Sequence, residues 1–397
     1  MTGRVEIDLS HADLLHERAL AALPGGNTRT TVFVPPRPPY AARGEGCELI
    51  DADGRRVLDL LNNYTALVHG HARAEVVEAA VSALRGGSAF GLPNEGEIEL
   101  AERLRARIPS AARWRFTNSG SEAVMMAIRL ARAATGRSAV LRFRGAYHGS
   151  YDVAMQPPTR GVPPSVEAEI VTVEFGDGEA VEAALAEHAP RLACVLLDAM
   201  PNRAGLRPAT PEFIHLLREQ TRRHGVLLVQ DEVITLRLAF GGLQSRYGIQ
   251  PDITTAGKII GGGFPVGAVG GREELMALFD PRSADPVAHP GTFNANPVSM
   301  RAGAVALDLL TEQEIARINA LGDRLRESLS DRGWEVSGQG SLLKVHADDQ
   351  DALWWSLYDR GILIAAKGLM CISTAMGEQD VDRALAAFDA VERVRAD

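Results

Sequence analysis

Between about residues 95 and 290, short runs rich in apolar residues alternate with stretches whose apolar positions recur at helical spacing. Residues 114–116, 139–143, 170–173, 194–197 and 226–229 are such runs, and their length and composition fit strands buried on both faces. Between the first two, Val124, Ala127, Ile128 and Ala131 fall on one face of a helix. This alternation predicts an α/β fold: a mostly parallel central sheet, helices on both faces, and a ligand site at the carboxyl ends of the strands.

The flanks read differently. A helical pattern over 12–23 leads into Pro24-Gly25-Gly26-Asn27-Thr28-Arg29 and a proline-rich stretch over 35–39, too irregular for a domain and better described as an N-terminal arm over 1–50. Residues 47–59 hold two short strand-like runs around Asp53-Gly54, a hairpin signal. After Pro297 a long helical pattern runs to about 330, strand-like runs follow at 342–345 and 362–364, and a last helix is expected over 378–393. These make a smaller α+β C-terminal domain over 297–397, leaving 51–296 as the large domain. No internal repeat or low-complexity segment interrupts the pattern.

Composition narrows the classes. At 397 residues the chain can bury a large core, and a net charge of −9 spread along it argues against nucleic acid or an anionic membrane as partner. Cys47, Cys194 and Cys371 are far apart and form no C-x-x-C pair, which excludes a disulfide framework and a thiolate metal site. No basic-then-apolar leader opens the chain and no apolar stretch approaches the roughly 20 residues that span a bilayer, so a cytoplasmic protein is expected.

The chemistry concentrates at a few points. Lys258 stands between Thr254-Thr255-Ala256-Gly257 and Ile259-Ile260-Gly261-Gly262-Gly263. A phosphate-loop reading fails because Asp252 occupies a required glycine position and Ile259 follows the lysine; a dinucleotide reading fails at Val266. Glycines that let the backbone turn tightly around an imine, and burial that makes an amine nucleophilic, favour a Schiff-base lysine over a surface lysine beside a loop. Asp231 leaves the end of an apolar run, where an acid needs a partner: either it caps the next loop or it meets a cation such as a pyridinium nitrogen. Val233, two residues on, is placed to pack against a ring. Asn118-Ser119-Gly120-Ser121-Glu122 follows a strand and opens a helix, which suits a phosphate and equally an ordinary N-cap. Tyr147-His148, after a strand end, is either structural or a platform for a flat cofactor. Thr292, in the loop after Gly291, offers a further hydroxyl for a phosphate. His69-Gly70-His71 lacks a third ligand at suitable spacing, so no metal is expected.

Taken in order, Pro24-Gly25-Gly26-Asn27-Thr28-Arg29, Phe116-Thr117-Asn118-Ser119-Gly120-Ser121-Glu122-Ala123, Gly145-Ala146-Tyr147-His148-Gly149, Asp231-Glu232-Val233, Gly257-Lys258, Gly261-Gly262-Gly263 and Gly291-Thr292-Phe293 closely resemble the class III, fold-type I aminotransferases. Within these the likeness is to the group of glutamate-1-semialdehyde aminomutase and the β-amino-acid (β-phenylalanine-type) aminotransferases, and it spans almost the whole chain. The resemblance implies pyridoxal 5'-phosphate as cofactor, with Lys258 carrying the internal aldimine and shuttling the proton. It implies that Asp231 keeps the pyridine nitrogen protonated, that Tyr147 and Val233 sandwich the ring, and that Gly120 and Ser121, with Ser119 nearby, hold the phosphate. Thr292 would reach that phosphate from the other subunit of a homodimer with shared active sites, and Arg29 would bind a substrate carboxylate. Four positions depart from the family's pattern: Asp198-Ala199 replaces a Glu-Pro, Lys367 stands where the β-amino-acid branch carries arginine, and Arg144 stands where acidic or small residues are usual. They bear on the substrate and leave the cofactor chemistry intact. The expected activity is amino transfer between an amino acid, a β-amino or aryl-bearing one, and a keto acid in two half-reactions. An aminomutase or a racemase would use the same residues; a catalytically silent homologue would keep the fold, and an intact Lys258 and Asp231 count against it.

Overall fold

The computed structural model describes residues 10–156 and 158–391. The arm begins with the helix His11–Ala22, which Ser10 and Asp13 close in a reciprocal capping box; residues 1–9 lie outside the described residues. Three antiparallel strands follow, β1 (Ala41–Glu45), β2 (Glu48–Asp51) and β3 (Arg56–Asp59). The Asp-Gly turn between the last two is closed by Asp51 Oδ1, which accepts the N–H groups of Asp53 and Arg55 at 3.0 and 2.8 Å.

The central sheet holds β4 (Arg113–Thr117), β5 (Ala139–Phe143), β6 (Ile170–Val173), β7 (Leu192–Leu197), β8 (Leu227–Asp231), β9 (Ile253–Gly257) and β10 (Gly267–Gly271), in the spatial order β4-β10-β9-β8-β7-β5-β6. Only β10 runs against its neighbours; the other pairings are parallel. Alternate side chains of the same strands feed opposite cores. Leu141, Phe143, Val195, Leu197 and Leu228 go to one side. Val140, Cys194, Leu196 and Val229 go to the other, where they meet Val124, Ala127, Ile128 and Ala131 of the helix Gly120–Thr135. Both faces being covered, each such side chain contributes about 1.5–3 kcal/mol of burial.

Beyond Pro297 the expected long helix is two, Pro297–Leu309 and Glu312–Asp331, because the Thr311 side chain accepts the Glu314 N–H and starts a new helix. β11 (Glu335–Gln339) and β12 (Leu342–His346) then precede β13 (Ile362–Leu363) and β14 (Leu369–Cys371). β11, β12 and β14 form a three-stranded antiparallel sheet, whereas β13 pairs in parallel with β3. The C-terminal segment is thus stitched to the strands that follow the arm, and a boundary drawn at 50/51 falls inside β2. The last helix is Glu378–Asp389; the expected end at Arg393 lies outside the described residues. No described helix is long and apolar enough to cross a membrane.

Candidate active site

The carboxyl ends of β4, β7, β8 and β9 open on a cleft of about 370 Å³. Ser119, Gly120, Ser121, Tyr147, Asp231, Val233 and Lys258 all line it. Residues up to 139 positions apart in sequence meet because every one of them sits at, or just past, a strand end on the same side of the sheet.

At the end of β4 the helix Gly120–Thr135 begins. Ser119 is its N-cap, accepting the Glu122 N–H at 3.2 Å, and Glu122 reaches back to the Asn118 N–H at 2.7 Å. Capping is therefore realised, and it leaves the amides of Gly120 and Ser121, in the first turn, without intrahelical partners and facing the cleft's end. A Cβ on Gly120 would stand 3.1 Å from both methyl groups of Val233, so glycine is what lets the helix start close in on the Val233 wall. Ser121 Oγ accepts the Ser150 N–H at 3.3 Å, and Gly149, at φ +97, lets that loop pass over it.

Asp231 is the last residue of β8 and is buried. Its Oδ1 accepts the Val233 N–H at 3.0 Å and the Thr255 hydroxyl at 3.3 Å, while Oδ2 accepts His148 Nδ1–H at 2.7 Å. His148 is itself buried, and its Nε2 has no hydrogen-bond partner among the described residues. Its role is thus to fix the carboxylate, a part that a Tyr-His pair in a loop does not advertise. Glu232 points the other way: it accepts the N–H groups of Leu243 and Gln244 at 3.1 and 2.8 Å and the Thr235 hydroxyl, and burial pushes its acid up to about 7.

Lys258 follows β9 with φ +51, a left-handed conformation that costs a side-chain-bearing residue about 1–2 kcal/mol. Burial pulls its ammonium below the usual lysine range, while the carboxyls of Asp231 and Asp198 oppose that shift. The structure thus places the Lys258 amine in the cleft with a pKa below the ordinary lysine range, a combination that favours a nucleophilic amine.

Tyr147 lines the cleft and carries the Arg203 guanidinium 4.2 Å from its ring centroid. Of the other cations raised by the sequence, Arg144 pairs with Glu174 at the surface and Lys367 is exposed. Arg29 lies in a neighbouring, larger cavity of about 560 Å³, walled by Tyr40, Tyr64, Trp354 and Tyr358. Asn63 borders both spaces and accepts Arg29 Nη1–H at 2.8 Å. It is presented by a left-handed turn in which Asn62, Asn63, Tyr64 and Thr65 all have φ between +46 and +74. Asp59 Oδ1, which accepts the Leu61 and Asn62 N–H groups at 2.9 and 2.8 Å, and Arg237, which donates to Thr65 O at 3.3 Å, hold that turn. Asn-Asn is the sequence signal for such a turn. Thr292 lines neither space; it is exposed beside Phe90, Pro93 and Asn94. His71 pairs with Asp59 at 2.7 Å and His69 bonds Thr374 and Ala306, and among the described residues no group could hold a metal ion.

The sequence model of the family described as Aminotransferase class-III matches residues 34–377. The chain belongs to that family. A solved ω-transaminase of Sphaerobacter thermophilus superposes with a TM-score of 0.93 at 46% identity, over 96% of this chain and 97% of its own. A β-phenylalanine transaminase of Variovorax paradoxus is 38% identical over 92% of this chain and 89% of its own length. A glutamate-1-semialdehyde 2,1-aminomutase of Methanothermobacter thermautotrophicus is 36% identical over 95% and 97%. The protein is a pyridoxal-phosphate-dependent aminotransferase of fold type I. The cleft of the aminotransferase fits that cofactor. A glycine-started helix offers amides to a phosphate, a histidine-held carboxylate lies along the floor, and a lysine stands beside it.

Proposed function

We propose that Lys258 holds pyridoxal 5'-phosphate covalently through Nζ and that the aminotransferase moves an amino group between a β-amino or aryl-bearing amino acid and a keto acid. The observation that supports this most is the meeting of the Lys258 amine, the Asp231 carboxylate and the Gly120–Ser121 amides in one cleft. When bound, the cofactor supplies an aldehyde that condenses with amines and a ring that draws electrons from the carbon beside the nitrogen. The chain's own residues do the rest. Gly120 and Ser121 bind the phosphate, Ser119 sets the helix start that aims them, and Val233 and Tyr147 flank the ring. Asp231, oriented by His148, holds a proton on the ring nitrogen. Lys258 Nζ moves the substrate proton, for which its lowered pKa suits it.

Arg29 is the carboxylate-binding group of this reading, and Asn63, which lines both cavities, accepts a hydrogen bond from its guanidinium. Its loss removes a charge-assisted contact of about 1.5–3 kcal/mol. Arg29→Ala is therefore expected to lower kcat/KM for amino acids at least about tenfold and to spare amines without a carboxylate. Amine-by-acceptor assays with product identification measure both. Release of a free keto acid supports amino transfer; equal losses on both amine classes would assign Arg29 to holding the arm.

The aminomutase reading keeps a place because relatives of that name match at 36–38% identity over nearly the full chain. It requires that both nitrogen and carbonyl stay on one carbon skeleton, so product identification separates it.

We also infer a cytoplasmic homodimer in which Thr292 of one subunit completes the phosphate site of the other. Mixing a Lys258→Ala protein with a Thr292-loop variant, under conditions where subunits exchange, is expected to restore activity to one site in each mixed dimer. Proven exchange without recovered activity would count against a shared site.

A further inference from the structure

The sheet order places a second acid at the cofactor site. Asp198 follows β7 directly, and because Leu197 is in register with Gln230 of β8, Asp198 stands beside Asp231 across the two strand ends. Both are buried, at 5% and 6% exposure, and both line the Lys258 cleft. Asp198 Oδ1 accepts the Met200 N–H at 2.9 Å; its other oxygen has no hydrogen-bond partner among the described residues.

Pyridoxal phosphate carries its phosphate arm and its 3-hydroxyl on opposite edges of the ring, on either side of the aldehyde carbon. In the cleft the Gly120–Ser121 amides lie past β4, Lys258 past β9, Asp231 on β8 and Asp198 past β7. With the phosphate toward β4 and the ring nitrogen at Asp231, the hydroxyl edge turns to β7. We propose that Asp198 is a cofactor-contacting residue whose protonated carboxyl donates a hydrogen bond to the 3-oxygen of bound pyridoxal phosphate. This rests on the cofactor orientation of the proposed function.

Two features make Asp198 a donor. Its Oδ1 is already occupied by an N–H, which leaves the proton to the oxygen facing the cleft. Burial and the Asp231 carboxylate push its acid up to about 8, against the Met200 N–H and Lys258 and with Glu232 adding to the rise, which favours the neutral carboxyl that a donor needs. The ionisable groups that line the cleft with it are Asp231, Lys258, Tyr147 and His148.

The test is the visible absorbance of the cofactor-loaded protein as a function of pH. A donor on the 3-oxygen stabilises the form that has lost the proton shared between that oxygen and the Lys258 nitrogen. Asp198→Ala is therefore expected to raise the spectral midpoint by about one pH unit or more, the size of a charge-assisted hydrogen bond. Asp198→Asn, whose amide still donates, is expected to stay within about half a unit of the parent. The sign discriminates, because removing an ionised carboxylate would lower the midpoint instead. A midpoint that is unmoved or lowered in Asp198→Ala, or raised equally in Asp198→Asn, overturns the assignment.

If a variant loads poorly, dissociation constants for pyridoxal phosphate and its 3-deoxy analogue are compared in the parent and in Asp198→Ala. The parent is expected to prefer the hydroxyl-bearing cofactor at least about tenfold more than the variant does, and equal preference overturns the assignment. A parent protein that takes up no stoichiometric cofactor would instead remove the proposed function itself.

Discussion

Lys258→Ala is expected to yield a folded protein that still binds pyridoxal phosphate but does not turn over. Alanine keeps a Cβ at φ +51, so the left-handed strain is the same before and after and the variant tests the amine alone. The Gly120 and Ser121 amides proposed for the phosphate remain, as does the Asp231 pair with His148. What disappears is the nitrogen proposed to anchor the cofactor and move the substrate proton. Proton transfer by a placed side chain alone accounts for about 10²–10⁴ in rate, so activity should fall by at least about 10⁴-fold once the covalent role goes with it. Purified variant and parent, loaded with cofactor, are compared by visible absorbance and by product formation. A variant that kept the absorbance of lysine-bound cofactor would show that another amine carries it.

The part of the site that was legible in the sequence is the part tied to periodicity. β5, β6, β7 and β8 are covered on both faces, which forces short apolar runs, and each run ends where a polar residue becomes affordable, as at Asp231. Residues just past such an end are candidates for the cleft: Asp198 and Val233 line it, whereas Glu232 and Arg144 turn away. β10 could not be read this way. Its Gly-Ala-Val-Gly-Gly resembles a loop, yet Gly270 is required because a Cβ there would come within 2.5 Å of the Trp114 ring on β4. Close packing between strands erased the hydrophobic signal that usually announces a strand.

The residues missed were missed for related reasons. Asp198 shows in the sequence as a departure from the family's Glu-Pro, which is a statement about substrate range; only the register of β7 on β8 places it beside Asp231. His148 gains its meaning from a contact 83 positions away. Arg29 was singled out by its motif; its position in the adjoining cavity, bonded to Asn63, depends on a left-handed turn that no periodicity encodes. Sequence alone identifies groups by what they can do. Which of them share one volume is decided by sheet order and by turns held through long-range contacts.

Asp231→Asn carries the second large expectation, and here the geometry makes the sign of each step explicit. The substitution is nearly isosteric, so the contacts from the Val233 N–H and the Thr255 hydroxyl to Oδ1 can persist and the cofactor should stay close to its parental position. The negative charge does not persist. His148 Nδ1–H then loses its anionic partner inside a buried pair, and a proton on the ring nitrogen loses the counter-charge that holds it there. Removing one partner of a buried charged pair costs about 3–5 kcal/mol, which corresponds to a rate loss of roughly 10²–10⁴-fold if it falls on the step that needs the protonated ring. The loss should appear in kcat rather than in cofactor affinity, because the Gly120–Ser121 amides proposed for the phosphate are untouched. A cofactor analogue methylated on the ring nitrogen has a permanent positive charge and needs no acid to keep it, so it is expected to recover part of the lost rate in Asp231→Asn and to add nothing in the parent. Steady-state kinetics of both proteins with both cofactors measure this. Near-parental kcat in Asp231→Asn with the natural cofactor would mean that the ring nitrogen is not held by Asp231, and the orientation that places the hydroxyl edge against Asp198 would fall with it.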